Sequence, residues 1–419
     1  MEGQWMKSFK LEEIADVKLS NVDKITNPNE RQVRLCNYTD VYKNWNITQD
    51  MTDSFMIASC NETEIEKFSL KKGQVAITKD SETPDDIGVS AYIADDFQNV
   101  VLGYHLALIT PFKEKLNGLY LNYLLHTKHL QTYFENNAGG SGQRCSLPID
   151  ILKQIPVTIP NIQTQNLHAA ILFALEKKIV INNQINDNLE AMAKTIYDYW
   201  FVQNAVIEEL EYNNEIKRKI PKNWKVEKLG KVENNIITGK TPSTKVPDYF
   251  DGKIPFICIG DLRDNVFILS TELSLSKLGA DSQKNKYIPK DAICVSCIAT
   301  PGLVAFASET SQTNQQLNTI VCNDENKRYY LYFYLQDYFK YAKAKTGNTF
   351  ANMNKEDFSA IPIIVPIPDV LNKFSILLTP IMNRILENGK ENLHLTQLRN
   401  WLLPMLMNGQ VSVNYHLSD

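Results

Sequence analysis

The sequence lacks any long uninterrupted run of apolar residues. The most apolar stretch, Val100 to Phe112, is broken by Gly103, His105 and Pro111, whereas a membrane-spanning helix needs roughly 20 predominantly apolar residues. The charged residues near the start of the chain leave no apolar core of the kind that a secretory leader contains. We therefore expect a protein that does not enter a membrane and that works in the cytoplasm.

Cysteine is scarce as well. Seven cysteines lie scattered between Cys36 and Cys322, whereas a secreted disulfide scaffold carries a dense and usually even set. We therefore expect reduced thiols. The length of 419 residues, with 43% hydrophobic and 22% charged residues, is typical of a globular chain with roughly two or three domains.

The chain also has little that indicates catalysis. The segment Thr238–Thr241 is similar to the end of a phosphate-binding loop, but Asn234 stands where the first glycine belongs and Pro242 would interrupt the following helix. The sequence contains neither the Asn/Asp-Pro-Pro-aromatic tetrapeptide of amino-methyltransferases nor the Gly-x-Ser-x-Gly of acyl transferases. We predict a chain that is not itself an enzyme.

Two short patterns have the spacing of metal ligands, but each is incomplete. Cys294 and Cys297 have no second pair of ligands, and they stand in an apolar run that predicts buried thiols. His126 and His129 have no acidic or cysteine companion close in sequence. We predict no metal site and no cofactor in this chain.

What the sequence does contain is an internal repeat with a constant offset of 206 residues. Ile155-Pro156 recurs as Ile361-Pro362, and Leu189 recurs as Leu395. Such self-similarity indicates two related structural halves. In each half, short β-branched runs separated by turn residues precede the Ile-Pro pair, which predicts a mixed α/β globular domain. One helix is expected within each domain, around 119–136 and around 328–345.

A long amphipathic pattern follows each Ile-Pro pair, from about residue 163 to 213 and from about 370 to 407. Its apolar residues recur at spacings of three and four, as in a coiled-coil seam. Two unrelated helices, each lying on its own domain, are the alternative, but the shared offset favours an antiparallel pair. The residues expected in the helix pair or its partner interface are Ile185, Leu189, Met192, Ile196, Trp200, Leu395, Leu398, Trp401 and Leu402.

Four asparagines, at positions 182, 186, 388 and 392, interrupt these apolar stripes at matching places. They either fix the register of the seam or are simply exposed. The predicted architecture is two mixed α/β domains (α+β) in tandem, joined by two long antiparallel coiled-coil helices in a pseudo-two-fold dumbbell. Its expected boundaries are 1–160 for the first domain, 161–213 for the first helix, 214–366 for the second domain and 367–419 for the second helix.

Charge is distributed unevenly along a chain whose net charge is -4. Residues 1–160 carry 16 basic and 21 acidic side chains, whereas residues 214–366 carry 21 basic and 16 acidic ones. The basic run from Lys217 to Lys231 is equally compatible with phosphate contacts and with a solvated linker. The first domain would have to contact any nucleic acid through local patches.

Several segments are similar to conserved regions of the specificity subunits of type I restriction-modification systems. They are Leu189–Ala193, Tyr197–Phe201 and Leu398–Gly409 in the predicted helices, and Pro221–Trp224, Thr238–Ser243 and Asp248–Gly252 at the opening of the second domain. The first domain instead contains Arg34–Tyr42, which resembles a different subgroup of recognition domains in that family. The resemblance extends over essentially the whole chain.

This resemblance implies a non-catalytic DNA-specificity subunit of a multisubunit adenine methyltransferase and ATP-dependent endonuclease. Each globular domain would be a target recognition domain that reads one half of an asymmetric, bipartite double-stranded DNA target. The paired helices would set the spacing and bind two methyltransferase subunits, through which restriction subunits join. S-adenosylmethionine, ATP and Mg²⁺ would belong to the partners. The alternative is a coiled-coil scaffold that binds proteins rather than DNA.

Polar and basic side chains on turn-rich loops are the candidate DNA contacts. In the first domain these are Lys43, Asn44, Gln143 and Arg144. In the second domain they are Lys240, Thr241, Ser243, Arg263, Lys345, Asn348 and Thr349. The residues beside glycines are favoured because glycine permits close backbone approach, although each position is equally compatible with a solvated turn.

Overall fold

The computed structural model describes residues 6–140, 144–204, 209–346 and 352–411. The chain divides into two compact units. Unit 1 consists of Met1–Lys177 and Leu395–Asp419, and unit 2 consists of Lys178–His394. Each unit therefore holds one globular domain together with a segment of each long helix. No helix in the described ranges is long and apolar enough to cross a membrane.

Twelve strands and six helices are described from residue 6 to the end of the first long helix. The strands are β1 (Lys7–Lys10), β2 (Ala15–Leu19), β3 (Arg31–Cys36), β4 (Asn46–Ile47), β5 (Met56–Cys60), β6 (Val75–Thr78), β7 (Asp80–Ser81), β8 (Ser90–Ile93), β9 (Val100–Leu102), β10 (Leu106–Pro111), β11 (Cys145–Ser146) and β12 (Pro156–Ile159). The helices are α1 (Tyr38–Lys43), α2 (Glu62–Phe68), α3 (Gly118–Leu125), α4 (Lys128–Asn137), α5 (Ile149–Lys153) and α6 (Ile162–Tyr197).

The remainder of the described chain repeats this plan. Its strands are β13 (Leu210–Asn213), β14 (Arg218–Pro221), β15 (Lys225–Lys228), β16 (Ile236–Thr238), β17 (Phe250–Ile257), β18 (Phe267–Ile268), β19 (Leu273–Leu275), β20 (Ile293–Ser296), β21 (Val304–Ala307), β22 (Gln312–Thr313), β23 (Leu317–Ile320) and β24 (Pro362–Val365). Its helices are α7 (Leu229–Val232), α8 (Lys277–Asp281), α9 (Arg328–Thr346), α10 (Lys355–Ser359) and α11 (Pro368–Met407).

The sheets of the two units have the same topology. Unit 1 contains a five-stranded sheet of order β2-β10-β6-β8-β4, and unit 2 contains one of order β16-β23-β20-β21-β18. In both sheets the last pair is parallel and the other pairs are antiparallel. The smaller sheets β5-β3-β9 and β19-β17-β22 also match, each with one antiparallel and one parallel pair. The predicted internal repeat and mixed α/β class are therefore confirmed.

The central strands are buried on both faces, which explains their continuous apolar runs. In β6 of unit 1, Val75 and Ile77 pack towards Tyr120 and Phe134 of the helical layer. Ala76 of the same strand packs in the other direction, into a core that contains Leu35 of β3. The predicted strand at 75–78 agrees with β6, and the predicted internal helices correspond to α3 with α4 and to α9.

The first long helix is shorter than the sequence predicts. Helix α6 passes into a π-helical turn at Asp198–Val202, and Asn204 adopts a left-handed φ of 54°. Asparagine tolerates this conformation, which stops helical propagation. The prediction that the helix continues to residue 213 is wrong, because Leu210–Asn213 pairs antiparallel with Arg218–Pro221 in a hairpin. The second helix, predicted from about 370 to 407, is observed as Pro368–Met407.

In unit 2 the two long helices pair antiparallel through their asparagines. The Asn182 amide donates to Asn392 Oδ1 at 2.9 Å, and the Asn388 amide donates to Asn186 Oδ1 at 2.8 Å. The two numberings run in opposite directions, which confirms the antiparallel pairing. Asn182 and Asn388 are buried, so the interpretation that these asparagines stand in the seam is confirmed for both residues.

Part of the apolar stripe expected in the seam faces outwards instead. Ile185 and Met192 of α6 are 37% and 46% exposed, and Leu398 and Trp401 of α11 are 42% and 57% exposed. Asparagine side chains occupy the seam there instead, through the Asn182–Asn392 and Asn186–Asn388 hydrogen bonds. The other five predicted positions are half-buried. Leu189, Ile196 and Trp200 pack against the core of unit 2. Leu402 packs against the core of unit 1, and Leu395 lies in the same unit.

Candidate functional site

Unit 1 contains a cleft of about 430 Å³ formed by loops at one edge of its sheets. Its lining comes from the loop after β2, the start of α1, the segment 80–86, Arg144 and the turn Gly103–His105 before β10. Backbone hydrogen bonds hold that turn on two sides, since Gly103 N–H donates to Cys36 O and Tyr104 N–H donates to Val22 O, both at 2.8 Å. These two hydrogen bonds fix the position of the turn within the cleft.

An aspartate–histidine pair stands in the wall of this cleft. Asp80 Oδ2 accepts hydrogen bonds from His105 Nδ1 at 2.5 Å and from Lys79 Nζ at 2.8 Å. Burial opposes ionisation of Asp80, but these hydrogen bonds outweigh it and lower the pKa of the carboxyl group. Asp80 is therefore a carboxylate that orients the imidazole of His105.

Aromatic and acidic groups also line the cleft. The rings of Tyr38 and Tyr42 on α1 stack with centroids 5.6 Å apart. The Tyr42 hydroxyl donates to the Asp86 carboxylate at 2.9 Å, and this hydrogen bond raises the pKa of the tyrosine. Lys24 and Arg144 add positive charge to the cleft. The surface thus combines hydrogen-bond acceptors, stacked rings and two cations.

Of the residues predicted to contact DNA in the first domain, Arg144 lies in this cleft. Lys43 is exposed at the last turn of α1, beyond the residues that line the cleft. Asn44 follows it and donates its amide to Asp40 O at 2.8 Å, so its side chain closes the end of the helix. Gln143 lies outside the described residues.

The corresponding loops of unit 2 carry different side chains. Thr241 Oγ1 donates to Gln315 Oε1 at 2.6 Å and thereby joins the loop after β16 to the turn before β23. Lys240 and Ser243 are exposed on the same loop. A Cβ at Gly239 would lie 2.0 Å from Asn314 O, so only glycine permits this close approach. The structure thus places Lys240, Thr241 and Ser243 together.

Arg263 lies on an adjoining segment of unit 2. It is exposed directly after a short 3-10 helix, Ile259–Leu262, which follows β17. Asn314 N–H donates to Ile257 O at 3.0 Å, so this segment is held beside the turn that carries Gln315. Lys345 is in α9, and its side chain, like Asn348 and Thr349, lies outside what the structure describes.

The basic run at the start of the second domain folds into β14 and β15. Lys222 and Lys231 form ion pairs with Glu209 and Glu227, at 3.3 and 2.6 Å. Exposed pairs of this kind contribute little stability. The run therefore belongs to the folded unit rather than to a free linker.

The cysteine and histidine side chains whose spacing is typical of metal ligands have other surroundings in the structure. Cys294 and Cys297 are buried as predicted, and burial raises the pKa of Cys294 to about 12 and that of Cys297 to about 11. Both thiols therefore stay protonated. His126 is hydrogen-bonded to Ser90 O at 2.9 Å. Within the described residues, no group of three or more His, Cys, Asp or Glu side chains could hold a metal ion.

Sequence reasoning missed central residues of the unit 1 cleft and Gln315 on the matching turn of unit 2. Asp80 opens the short strand β7 just after β6, whereas Tyr104, His105 and Gln315 stand in turns that precede buried strands, far apart in the chain. That position at a strand end is the one local signal they carry, and many other polar residues share it. Strand pairing alone brings Asp80 and His105 together, through Lys79 N–H donating to His105 O at 3.0 Å.

Comparison with known proteins identifies relatives of this chain. The type I restriction modification DNA specificity domain matches residues 3–191 and 221–395. The type I restriction enzyme HindI specificity subunit of Haemophilus influenzae is 30% identical over 407 residues, covering 82% of this chain and 88% of the relative. The MjaIX specificity subunit of Methanocaldococcus jannaschii is 27% identical over 311 residues, covering 72% and 71%.

A solved structure shares the fold as well. The crystal structure of a type I restriction-modification system S subunit from M. genitalium aligns with a TM-score of 0.61 at 14% identity. The alignment covers 96% of both chains. The tandem arrangement therefore extends over the full length of both proteins.

Proposed function

The chain belongs to the type I restriction modification DNA specificity family, and on that premise we propose that it selects the DNA sequence for a type I restriction-modification complex. The observation that carries this proposal is that the two units carry different loop side chains on sheets of the same topology. A shared framework with different loop side chains suits a protein that reads two different half-sites. Each unit would read one half of an asymmetric, bipartite double-stranded DNA target.

The chain would contribute recognition and no chemistry. Family membership supports this, because specificity subunits are not catalytic themselves. Methyl transfer from S-adenosylmethionine and cleavage driven by ATP with Mg²⁺ would belong to partner subunits. The assembly would act in the cytoplasm, where the DNA of its host lies.

The long helices would set the gap between the half-sites. Helices of 36 and 40 residues rise about 54 and about 60 Å at ~1.5 Å per residue. Major-groove faces of DNA repeat every ~34 Å, so helices of this length suit half-sites separated by one to two turns.

The exposed apolar residues of these helices would bind two methyltransferase subunits, through which restriction subunits join. Met192 in unit 2 and Leu398 and Trp401 in unit 1 are exposed on long helices. Large apolar and aromatic side chains in such positions are typical of protein interfaces. Their matching places in the two repeats favour one methyltransferase subunit for each repeat.

The direct test is selection of duplexes from a randomised DNA library by the purified full chain, alone and assembled with the methyltransferase subunits. We expect two unequal specific segments separated by a fixed, unspecified gap. Affinity should fall steeply with salt, because phosphate contacts release counterions. An assembly that binds no DNA, or that selects no sequence, would overturn the proposal and favour a scaffold that binds only proteins.

A further inference from the structure

Backbone hydrogen bonds align the cleft of unit 1 with the matching loops of unit 2. In unit 1, Ser20 N–H donates to Leu106 O at 3.0 Å and Lys79 N–H donates to His105 O at 3.0 Å. In unit 2 the matching bonds run from Gly239 N–H to Leu317 O at 3.1 Å and from Cys297 N–H to Gln316 O at 2.9 Å. The turn Gly103–His105 is thus the counterpart of the turn at 314–316.

The turn of unit 1 presents a hydrogen-bond acceptor. His105 has a left-handed φ of 69°, which is uncommon outside glycine and concentrates at functional sites. The Asp80 carboxylate accepts the hydrogen bond from Nδ1, and in the Nδ1–H tautomer the other ring nitrogen, Nε2, is a hydrogen-bond acceptor. The ring also lies against Tyr104, with centroids 3.9 Å apart.

The turn of unit 2 presents a donor instead. Gln315 is exposed, and its Oε1 already accepts the Thr241 hydroxyl at 2.6 Å. The amide N–H groups of Gln315 are therefore the groups available to a ligand. Equivalent turns on the same framework thus offer opposite hydrogen-bonding chemistry.

The charges around His105 favour a base over a phosphate as its ligand. Asp80, Glu82 and Asp86 all line the same cleft, and their carboxylates repel a phosphate oxygen at short range. An amino group on a base edge is neutral and donates hydrogen bonds, so it suits this surface. Lys24 and Arg144, in the same cleft, are placed to attract the DNA backbone.

We propose that these two turns are the base-reading turns of the protein, with His105 and Gln315 as specificity-determining residues. His105, positioned by Asp80, accepts from the exocyclic amino group of adenine or cytosine in the major groove. Gln315, positioned by Thr241, donates to a base acceptor such as O6 or N7 of guanine. The inference rests on the proposed function and adds to it the base chemistry of each half-site.

The test uses the full chain assembled with its methyltransferase subunits and the same randomised duplexes. His105→Gly removes the imidazole without backbone strain, because glycine accepts a positive φ. We expect discrimination at one position of one half-site to fall about 10- to 100-fold, as for loss of a good base contact, while the other half-site is unchanged. Gln315→Ala should relax one position in the opposite half-site.

Matched variants separate reading from folding. His129→Ala removes an exposed histidine of α4 in the same unit and should leave the selected sequence unchanged. Asp80→Asn should relax the same position as His105→Gly, and its circular dichroism spectrum should show that the variant keeps the wild-type fold. If His105→Gly does not fold, His105→Asn replaces it, because asparagine tolerates the left-handed region; it should change the preferred base at that position.

The outcomes distinguish failure of this inference from failure of the proposed function. If the His105 variants select the wild-type sequence, the inference is wrong. A uniform loss of affinity with a salt slope reduced by about one would identify a phosphate contact and would also overturn it. If the wild-type assembly selects no sequence at all, the proposed function itself fails.

Discussion

The cleft of unit 1 and the matching loops of unit 2 differ in side chains although the strands beneath them follow the same topology. The wall of the unit 1 cleft carries Asp80, His105 and stacked tyrosines, whereas the matching loops of unit 2 carry Thr241 and Gln315. The sheet orders beneath them agree strand for strand. Buried residues therefore maintain the framework that the two units share. Loop residues at the strand ends can differ between the units because few other side chains pack against them.

Framework positions should show the largest effects. Phe374 is fully buried in unit 2 against Tyr197, Trp200 and Phe201. Phe374→Ala should destabilise that unit by about 3–5 kcal/mol through lost burial and cavity formation. Chemical denaturation followed by tryptophan fluorescence measures this. A loss below about 1 kcal/mol would mean that the aromatic cluster does not hold the framework.

The exposed helix residues should behave in the opposite way. Trp401 of unit 1 is 57% exposed, so Trp401→Ala should change folding stability by less than about 0.5 kcal/mol. If it anchors a methyltransferase subunit, association should weaken by about 2 kcal/mol, roughly 30-fold. Analytical ultracentrifugation or calorimetric titration checks the association, with Met192→Ala as the counterpart in unit 2. Unchanged assembly in both variants would contradict the docking assignment.

The asparagine pairs of the long helices test whether buried polar side chains also stabilise the framework. Asn388 is buried and donates to Asn186, so Asn388→Leu leaves an amide oxygen in the helix pair without its donor. The expected cost is about 1–3 kcal/mol of folding free energy. Gln184→Leu, at an exposed position of α6, is the control and should be nearly neutral. If both variants unfold at the same denaturant concentration, the asparagines do not determine the pairing.

Loop cations should have smaller and more uniform effects than the base-reading turns. Arg144→Ala in the cleft of unit 1 and Arg263→Ala on the loop after β17 of unit 2 each remove one positive side chain. If each contacts a phosphate, affinity for all sequences falls together and the salt slope decreases by about one. Binding titrations at several salt concentrations measure both quantities. A changed target sequence would instead make that arginine a base reader.

The smallest expected difference concerns acid stability. The pKa of Asp80 is lowered, so its carboxylate stabilises unit 1 above the unfolded value and loses this contribution as the pH falls through the lower folded value. Ile298 holds the matching place in unit 2, one residue after Cys297. Asp80→Asn should therefore reduce the melting temperature near pH 6 and converge with the wild type at strongly acidic pH. If the melting temperatures of the two proteins differ by the same amount at every pH, the ionised carboxylate adds no stability.

Some predictions failed where short-range patterns competed with tertiary contacts. The helical pattern up to residue 213 is weak beyond Asn204, and a hairpin with Arg218–Pro221 forms there instead. The apolar stripe through Ile185 and Met192 has coiled-coil spacing, yet the asparagines occupy the seam. Periodicity reports that a helix has an apolar face, but not which partner covers that face.

The sequence by itself determined the two related halves, the long second helix and the central strand Val75–Thr78. These features depend on local patterns and on a repeat, both of which are readable along the chain. Only the tertiary structure decided that Asp80 meets His105 and that Thr241 meets Gln315, pairs separated by 25 and 74 positions. Such contacts depend on strand pairing between distant segments, because local preferences do not specify which distant strand a segment joins.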